Sequence, residues 1–270
     1  MPNVLLATDL DKTLLDTDAA VPQRCVEAIR AFIQRGGLFT VATGRPTRGV
    51  LIYSDLIELV NAPIITYNGA CIYDTKAKRV IWQQLLPQNI QPLISDALKA
   101  FPSVGALVFR GDDDFTCVVQ PNTYTTEVAW TREHYHAPER SLEEIPFPWN
   151  KVVLCGPPEE MRRCAAYIRA NVPSAVTTIL SEGIFLEMTG PDVGKGKALR
   201  RVAELTGMSQ SQIVAIGDSM NDIDMLQWAG TGVAVANAEA EILKIAQVTV
   251  ASNAEHGICE CIEKILLPML

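Results

Sequence analysis

The sequence predicts an α/β protein, a doubly wound parallel-sheet core with an α+β cap inserted into it, and three observations lead there. Short apolar runs at residues 4–7, 38–42, 64–67, 213–216 and 232–236 alternate with helix-patterned segments, as in a parallel sheet with crossover helices. Three of the runs end in polar loops rich in Asp, Thr and Gly, and in such sheets the loops at the carboxyl ends of the strands converge on one crevice. In the middle of the chain the alternation gives way to strand pairs joined by turn-rich loops. The expected division is a discontinuous core, 1–83 and 188–270, with the cap at 84–187.

The elements follow in order. Val4-Leu5-Leu6-Ala7 is a continuous apolar strand. Residues 22–35 place Val26, Ile29, Phe32 and Ile33 at helical spacing behind Pro22 and stop at Gly36-Gly37, which makes an amphipathic crossover helix. Strand 38–42, a helix around 49–60 and strand 64–67 repeat that unit. In the cap, 104–110 and 115–119 flank Gly111-Asp112-Asp113-Asp114 and read as a hairpin. A helix at 159–171 and strands at 176–180 and 184–188 follow. The core resumes with helix 197–206, strand 213–216, helix 222–228 and strand 232–236.

Chemistry-bearing residues sit at the strand ends. Asp9-Leu10-Asp11-Lys12-Thr13 follows the first strand, and residues two apart in extended backbone face the same side. Asp9 and Asp11 therefore either share a divalent cation or divide nucleophile and acid roles. Gly217-Asp218-Ser219-Met220-Asn221-Asp222 forms a second acidic loop after strand 213–216. Strand 38–42 ends in Thr43-Gly44-Arg45, whose hydroxyl and backbone amides suit a phosphate. Lys195, at the start of a helix, offers an ammonium to phosphate oxygens.

Plainer readings compete with each motif. An Asp at a strand end often only caps the next helix. A calcium loop needs Gly and Glu where this chain has Leu14 and Ala20. The stretch Gly190 to Lys195 is one residue short of a P-loop, with Gly196 in place of the magnesium-binding hydroxyl. Gly230-Thr231-Gly232 lacks the last glycine of a dinucleotide fingerprint, having Val235 there, and reads as a turn into a strand.

Taken in order, the motifs at Asp9, Thr43, Lys195 and Asp218 resemble those of the haloacid dehalogenase (HAD) superfamily of aspartyl-phosphate phosphatases, over nearly the whole chain. The long interval from Thr43 to Lys195, the pair Asn68-Gly69 and the tail Ser252-Asn253-Ala254-Glu255-His256-Gly257 resemble its Cof-type, class IIB sugar-phosphatase branch. The resemblance implies a HAD-like Rossmannoid core and Mg2+ bound by Asp9, the Asp11 backbone carbonyl and Asp218. It also implies Asp9 as nucleophile, Asp11 as acid and then base, and Thr43, Gly44, Lys195 and Asn221 around the phosphoryl group. Asp222 either binds the metal or orients its waters, and its plainer reading is a helix cap. Arg45 and Asn68 fall at the mouth of the site as substrate contacts, against the readings of surface cation and Asn-Gly turn. Relatives often place glycine where this chain has Lys12, here expected to be a solvated side chain. Arg110, Tyr124, Trp130, His134 and His136 are leaving-group candidates in the cap, none singled out.

The implied activity is magnesium-dependent hydrolysis of small phosphorylated metabolites, sugar phosphates first, through an aspartyl phosphate. The alternatives are a phosphomutase or phosphotransferase and a catalytically silent phosphosugar-binding regulator. The composition agrees: 270 residues with 48% hydrophobic content can bury a large core. A net charge of -8 and a pI near 5.0 oppose nucleic-acid binding. The amino terminus lacks a signal-peptide pattern and no apolar run approaches the ~20 residues that span a bilayer. A cytoplasmic monomer or homodimer without membrane attachment is expected. Seven cysteines without a Cys-x-x-Cys pair read as reduced structural thiols, Cys259 and Cys261 diverging on a terminal helix.

Overall fold

The protein is described here by a computed structural model covering residues 4–110, 115–127, 138–181 and 183–270. It forms two compact units: Met1–Gly44, Val50–Ile81 and Gly194–Leu270 make the first, Arg45–Gly49 and Trp82–Val193 the second. The chain begins with β1 (Leu5–Thr8), α1 (Gln23–Gln34), β2 (Leu38–Val41), α2 (Thr47–Leu51), α3 (Ser54–Leu59), β3 (Ile64–Thr66), β4 (Cys71–Asp74) and β5 (Arg79–Gln83). Next come α4 (Ile90–Ala100), β6 (Gly105–Arg110), β7 (Phe115–Val119), α5 (Thr123–Glu127), β8 (Lys151–Cys155), α6 (Pro158–Asn171), β9 (Thr177–Ser181) and β10 (Phe185–Thr189). The first unit then resumes with α7 (Lys195–Thr206), β11 (Ile213–Gly217), α8 (Ile223–Trp228), β12 (Thr231–Val235), α9 (Ala240–Ile245), β13 (Val248–Val250) and α10 (Gly257–Cys261).

The first unit is built on a five-stranded sheet in the order β13-β12-β11-β1-β2, with every pairing parallel. The chain moves outward from β1 to β2 and later returns to β11 on the other side of β1. The strand order therefore reverses there, where open α/β sheets bind ligands. The register pairs Thr8 with Ile216 and with Val41. Asp9, Thr43 and Asp218 consequently leave the sheet at one edge. β1 and β11 are buried along their whole length, which is why they read as unbroken apolar runs. On α1 the 3.6-residue period puts Cys25, Val26, Ile29 and Phe32 on the buried face, packed with Leu6, Phe39, Val214 and Ile258.

Two expectations in this unit are corrected. Strand 64–67 does not extend the parallel sheet: β3 joins an antiparallel β3-β4-β5 sheet and meets β2's continuation at the isolated parallel bridge Ala42–Ile65. The cause is local, because Tyr67, Asn68 and Gly69 all take positive φ and reverse the chain, the role of an Asn-Gly turn. The helix expected around 49–60 is two, α2 and α3, parted where Tyr53 leaves helical dihedrals and its hydroxyl donates to the Ala19 carbonyl at 3.0 Å.

The second unit is an antiparallel sheet in the order β7-β6-β8-β10-β9. Ala106, Val108, Val152, Leu154, Leu186 and Met188 alternate onto one face, against Ile90, Ile94 and Leu98 of α4 and Met161, Cys164 and Ile168 of α6. The β6-β7 hairpin and the strands β9 and β10 match the sequence reading, whereas α4 and β8 add elements it did not foresee. Residues 111–114 of the hairpin turn lie outside the described residues. All seven cysteines are buried free thiols, Cys25 and Cys259 lying with their sulfurs 3.5 Å apart. No helix among the described residues is long and apolar enough to cross a membrane.

Gly69 ties the Asn68 turn to the start of α7. Its φ is +95°, and a Cβ there would stand 2.2 Å from the Gly194 carbonyl oxygen. Gly69→Ala is expected to cost at least about 3 kcal/mol, backbone strain and the clash adding together. Urea unfolding measures it; a loss under about 1 kcal/mol would mean that the two backbones part easily.

Candidate active site

Asp9 ends β1 in extended conformation, and its N–H still donates to the Ile216 carbonyl at 2.9 Å. The strand pairing therefore fixes the backbone that carries this carboxylate. Beyond it, Asp11 is extended and exposed, and Lys12 takes the left-handed region at φ 60°. Left-handed backbone costs an L side chain about 1–2 kcal/mol, the physical reason a glycine suits this position. Two asparagines hold the turn. Asn237 Nδ2 donates to the Lys12 carbonyl at 2.8 Å and Asn253 Nδ2 to the Leu15 carbonyl at 2.8 Å. The Asn253 N–H donates to Asn237 Oδ1 at 2.9 Å.

The two acidic loops meet, as the strand-end argument requires. The Thr13 hydroxyl donates to Asp218 Oδ1 at 2.8 Å, and the Ser219 hydroxyl donates to Asp218 Oδ2 at 2.7 Å. Asp222 Oδ2 accepts the N–H groups of Asp218 and Ser219, each at 3.0 Å, so it ties down the turn before it and makes no side-chain cap bond to α8, the helix it was expected to cap. Its other oxygen, Oδ1, accepts from Lys195 Nζ at 2.6 Å, and the same ammonium donates to Asp9 Oδ1 at 2.6 Å. Lys195 is 1% exposed, Asp9 6% and Asp222 0%. A lysine from α7 thus bridges the ends of β1 and β11 in a site withdrawn from water.

Thr43 and Gly44 continue from β2. The Thr43 N–H donates to the Ile65 carbonyl, and the Thr43 carbonyl accepts the Asn68 N–H, both at 2.9 Å. A Cβ on Gly44 would stand 2.9 Å from Asn68 Oδ1, and that oxygen accepts from Asn221 Nδ2 at 3.0 Å. Asn221 Oδ1 is buried with no protein partner. Asp9, Thr43, Gly44, Asn68, Lys195, Asn221, Asp218 and Asp222 are hence linked within the first unit. Arg45 groups with the second unit, where it is buried and its guanidinium donates to the Gly49 carbonyl at 3.4 Å. Of the leaving-group candidates, Arg110 ends β6 and Tyr124 lies on α5; Trp130, His134 and His136 fall outside the described residues.

Sequence reading passed over Asp224, Thr13 and Asn237. Asn237 follows the end of β12, and the same strand-end rule would have marked it. Thr13 lay inside a quoted motif without a role. Asp224 carried no local signal: its partners are backbone N–H groups, two of them on the distant α7.

The electrostatics of the cluster favour a bound cation. Burial pushes the Asp9 carboxyl well above the usual range, and Asp222, Asp218 and Asp11 add to the push, together outweighing the opposing Lys195. Burial also raises Asp218, against the hydrogen bonds from Ser219 and Thr13. Lys195 moves the other way to its own burial: the Asp222 and Asp9 carboxylates overcome desolvation and hold the ammonium charged. Asp9 is thus raised although it is paired with an ammonium, because burial first and carboxylate repulsion second outweigh the pair. Asp9, Asp218 and Asp222 each offer an oxygen within 4.8 Å of the others. Three carboxylates against one ammonium leave a double negative charge, and an all-oxygen donor set suits a hard dication.

The profile of the haloacid dehalogenase-like hydrolases matches residues 6–262. YxeH of Bacillus subtilis, a phosphatase by name, is 30% identical over 272 residues, covering 97% of this chain and 98% of that protein. Among solved structures, a haloacid dehalogenase-like hydrolase from Bacteroides thetaiotaomicron aligns with a TM-score of 0.85 and 26% identity, over 97% of this chain and 99% of that one. The HAD subclass IIB sugar phosphatase BT4131 shares the fold at a TM-score of 0.85 and 23% identity, over 99% of this chain and all of that one.

A carboxyl raised in the folded state binds its proton more tightly than in the unfolded chain. Its stabilising contribution is present below the unfolded value and is lost as pH rises through the folded one. In chelator, Asp9 and Asp218 should therefore stabilise less at pH 8 than at pH 5, and a dication, which competes with those protons, should reverse this. Saturating magnesium is expected to raise Tm by about 5 °C or more at pH 8 and by less at pH 5. An equal shift at both pH values in a thermal melt would separate cation binding from these carboxyls.

Proposed function

Since this chain belongs to the haloacid dehalogenase-like hydrolases and is a phosphatase of their Cof type, we propose that it hydrolyses small phosphorylated metabolites, sugar phosphates first, with Mg2+ as the metal. The observation that carries the reading is Lys195 bridging Asp9 and Asp222 in a buried carboxylate cluster. It holds Asp9 by Oδ1 and leaves Oδ2 as the attacking atom.

Asp9 Oδ2 forms a bond to phosphorus as the bond from phosphorus to the leaving oxygen breaks, dividing one hard displacement into two easier ones. Asp11 gives its proton to the departing alkoxide. As a carboxylate it then takes a proton from water, whose oxygen attacks phosphorus and releases Asp9 and inorganic phosphate. The exposed Asp11 suits proton exchange, and the buried Asp9 suits attack without competing hydration. Thr43, the Gly44 amide and Lys195 hold the phosphoryl oxygens, where positioning and charge stabilisation dominate. Asn221, with a buried oxygen lacking a protein partner, orders the edge of that shell. Asp9, the Asp11 carbonyl and Asp218 would hold the dication, which when bound would neutralise charge on the phosphate. Asp222, already bonded to Lys195 and two N–H groups, is placed to hold that set and to orient waters. Asn68 and Arg45 are the proposed contacts to the rest of the substrate.

The test is inorganic phosphate release from sugar phosphates, nucleotides, phosphoglycolate and pyridoxal phosphate, with and without magnesium. Release from a sugar phosphate is expected; turnover without phosphate release would favour transfer to a second sugar. Asp9→Asn should lower kcat at least about a thousandfold, the scale of losing a nucleophile. Asp11→Asn should lower it about 10²–10⁴-fold, the scale of losing a general acid. Magnesium-dependent turnover surviving in Asp9→Asn would remove it as nucleophile.

A further inference from the structure

We infer that Asp224 is a positioning residue for Lys195, a role that rests on Lys195 holding the phosphoryl group. α7 starts with no cap of its own: the residue before it is Gly194, which offers no side chain to the helix's first N–H groups. The missing acceptor comes from another helix. Asp224, on α8, accepts the Gly196 N–H through Oδ2 at 2.9 Å and also the Lys197 N–H. It therefore grips the two residues that directly follow the one that reaches Asp9.

The fit leaves no slack. A Cβ on Gly194 would stand 2.3 Å from Asp224 Oδ2, and one on Gly196 2.4 Å from the Asp224 carbonyl. Side chains are thus absent on both sides of Lys195 where α7 meets α8. The grip also fixes Lys195 against Asp222, because Asp222 stands two residues before Asp224 at the entry to α8. Both ends of the Lys195–Asp222 contact are thereby set by one short stretch of chain. A lysine whose ammonium must lie 2.6 Å from two carboxylates at once tolerates little movement at its Cα, and misplacement of a positioned group is costly in rate.

The experiment measures hydrolysis of p-nitrophenyl phosphate and inhibition by orthovanadate, with magnesium present, for wild type, Asp224→Ala, Asp224→Asn and Lys195→Met, each below its melting temperature and with helix content checked by circular dichroism. Asp224→Ala is expected to raise the orthovanadate Ki and lower kcat/KM by at least about tenfold while folded. Asp224→Asn, whose amide oxygen accepts the same N–H groups, should bring both back to within about threefold of wild type. Where the alanine variant fails to fold, Asp224→Ser, one atom too short for the bridge, stands in with the same expectation. A folded alanine or serine variant with wild-type Ki, while Lys195→Met loses inhibition, would overturn the inference and leave the Lys195 reading intact. So would an asparagine variant no better than alanine. Full activity in Lys195→Met would overturn both.

Discussion

The buried ammonium of Lys195, shared between Asp9 and Asp222, is the contact on which the rest of the first unit depends. Taking an ammonium and carboxylates out of water costs several kcal/mol per ion, and only close, hydrogen-bonded geometry offsets that. Two of the three ammonium donors are committed to the carboxylates at 2.6 Å. Asp222 passes the constraint to the backbone of Asp218 and Ser219, and Asp218 passes it to Thr13. One side chain thereby fixes both acidic loops and the start of α7. Without it, three carboxylates would face one another in a medium that cannot screen them.

The same balance explains why the cluster is poised and not relaxed. Hydrogen bonds from Ser219 and Thr13 resist the upward push on Asp218 but do not cancel it. At Asp9, burial and three neighbouring carboxylates overcome Lys195. The fold holds its acids closer together than their charges favour, so their positions come from packing and backbone pairing. Such preorganisation lets a site bind positive charge, or the charge that develops in a reaction, without first rearranging.

Much of this was legible in the sequence because the informative signals were local. β1, β2, β11 and β12 are short apolar runs ending in motif residues, and α1 and α7 show helical periodicity or a boundary residue. The residues of the carboxylate cluster could be placed together because parallel strands deliver their carboxyl ends to one edge. What stayed hidden depends on partners far along the chain. β8 opens on Lys151, whose charge is met only in the fold by Glu187 at 3.6 Å, and its apolar run Val152-Val153-Leu154 is too short to classify alone. For Asn68-Gly69 a turn is only the plainer of two readings the sequence offers, and its power to redirect β3 into a separate antiparallel sheet comes from three consecutive positive φ values. Asn237, Asn253 and Asp224 act on backbone groups, and no spacing rule reveals which carbonyl or amide a side chain will find.

The order of strands in the parallel sheet also governs how this protein emerges during synthesis. β1 is central, but one of its two neighbours, β11, begins at Ile213. At 5–20 residues per second, about 10–40 s pass between the appearance of the two on a ribosome. Throughout that interval β1 can pair only with β2, and one of its hydrogen-bonding edges, flanked by apolar side chains, has no native mate. An unpaired apolar edge invites association with other chains. The strand that leads into Asp9 therefore waits on the nascent chain until most of the sequence has been made, and a chaperone that covers its open edge would shield it from such association.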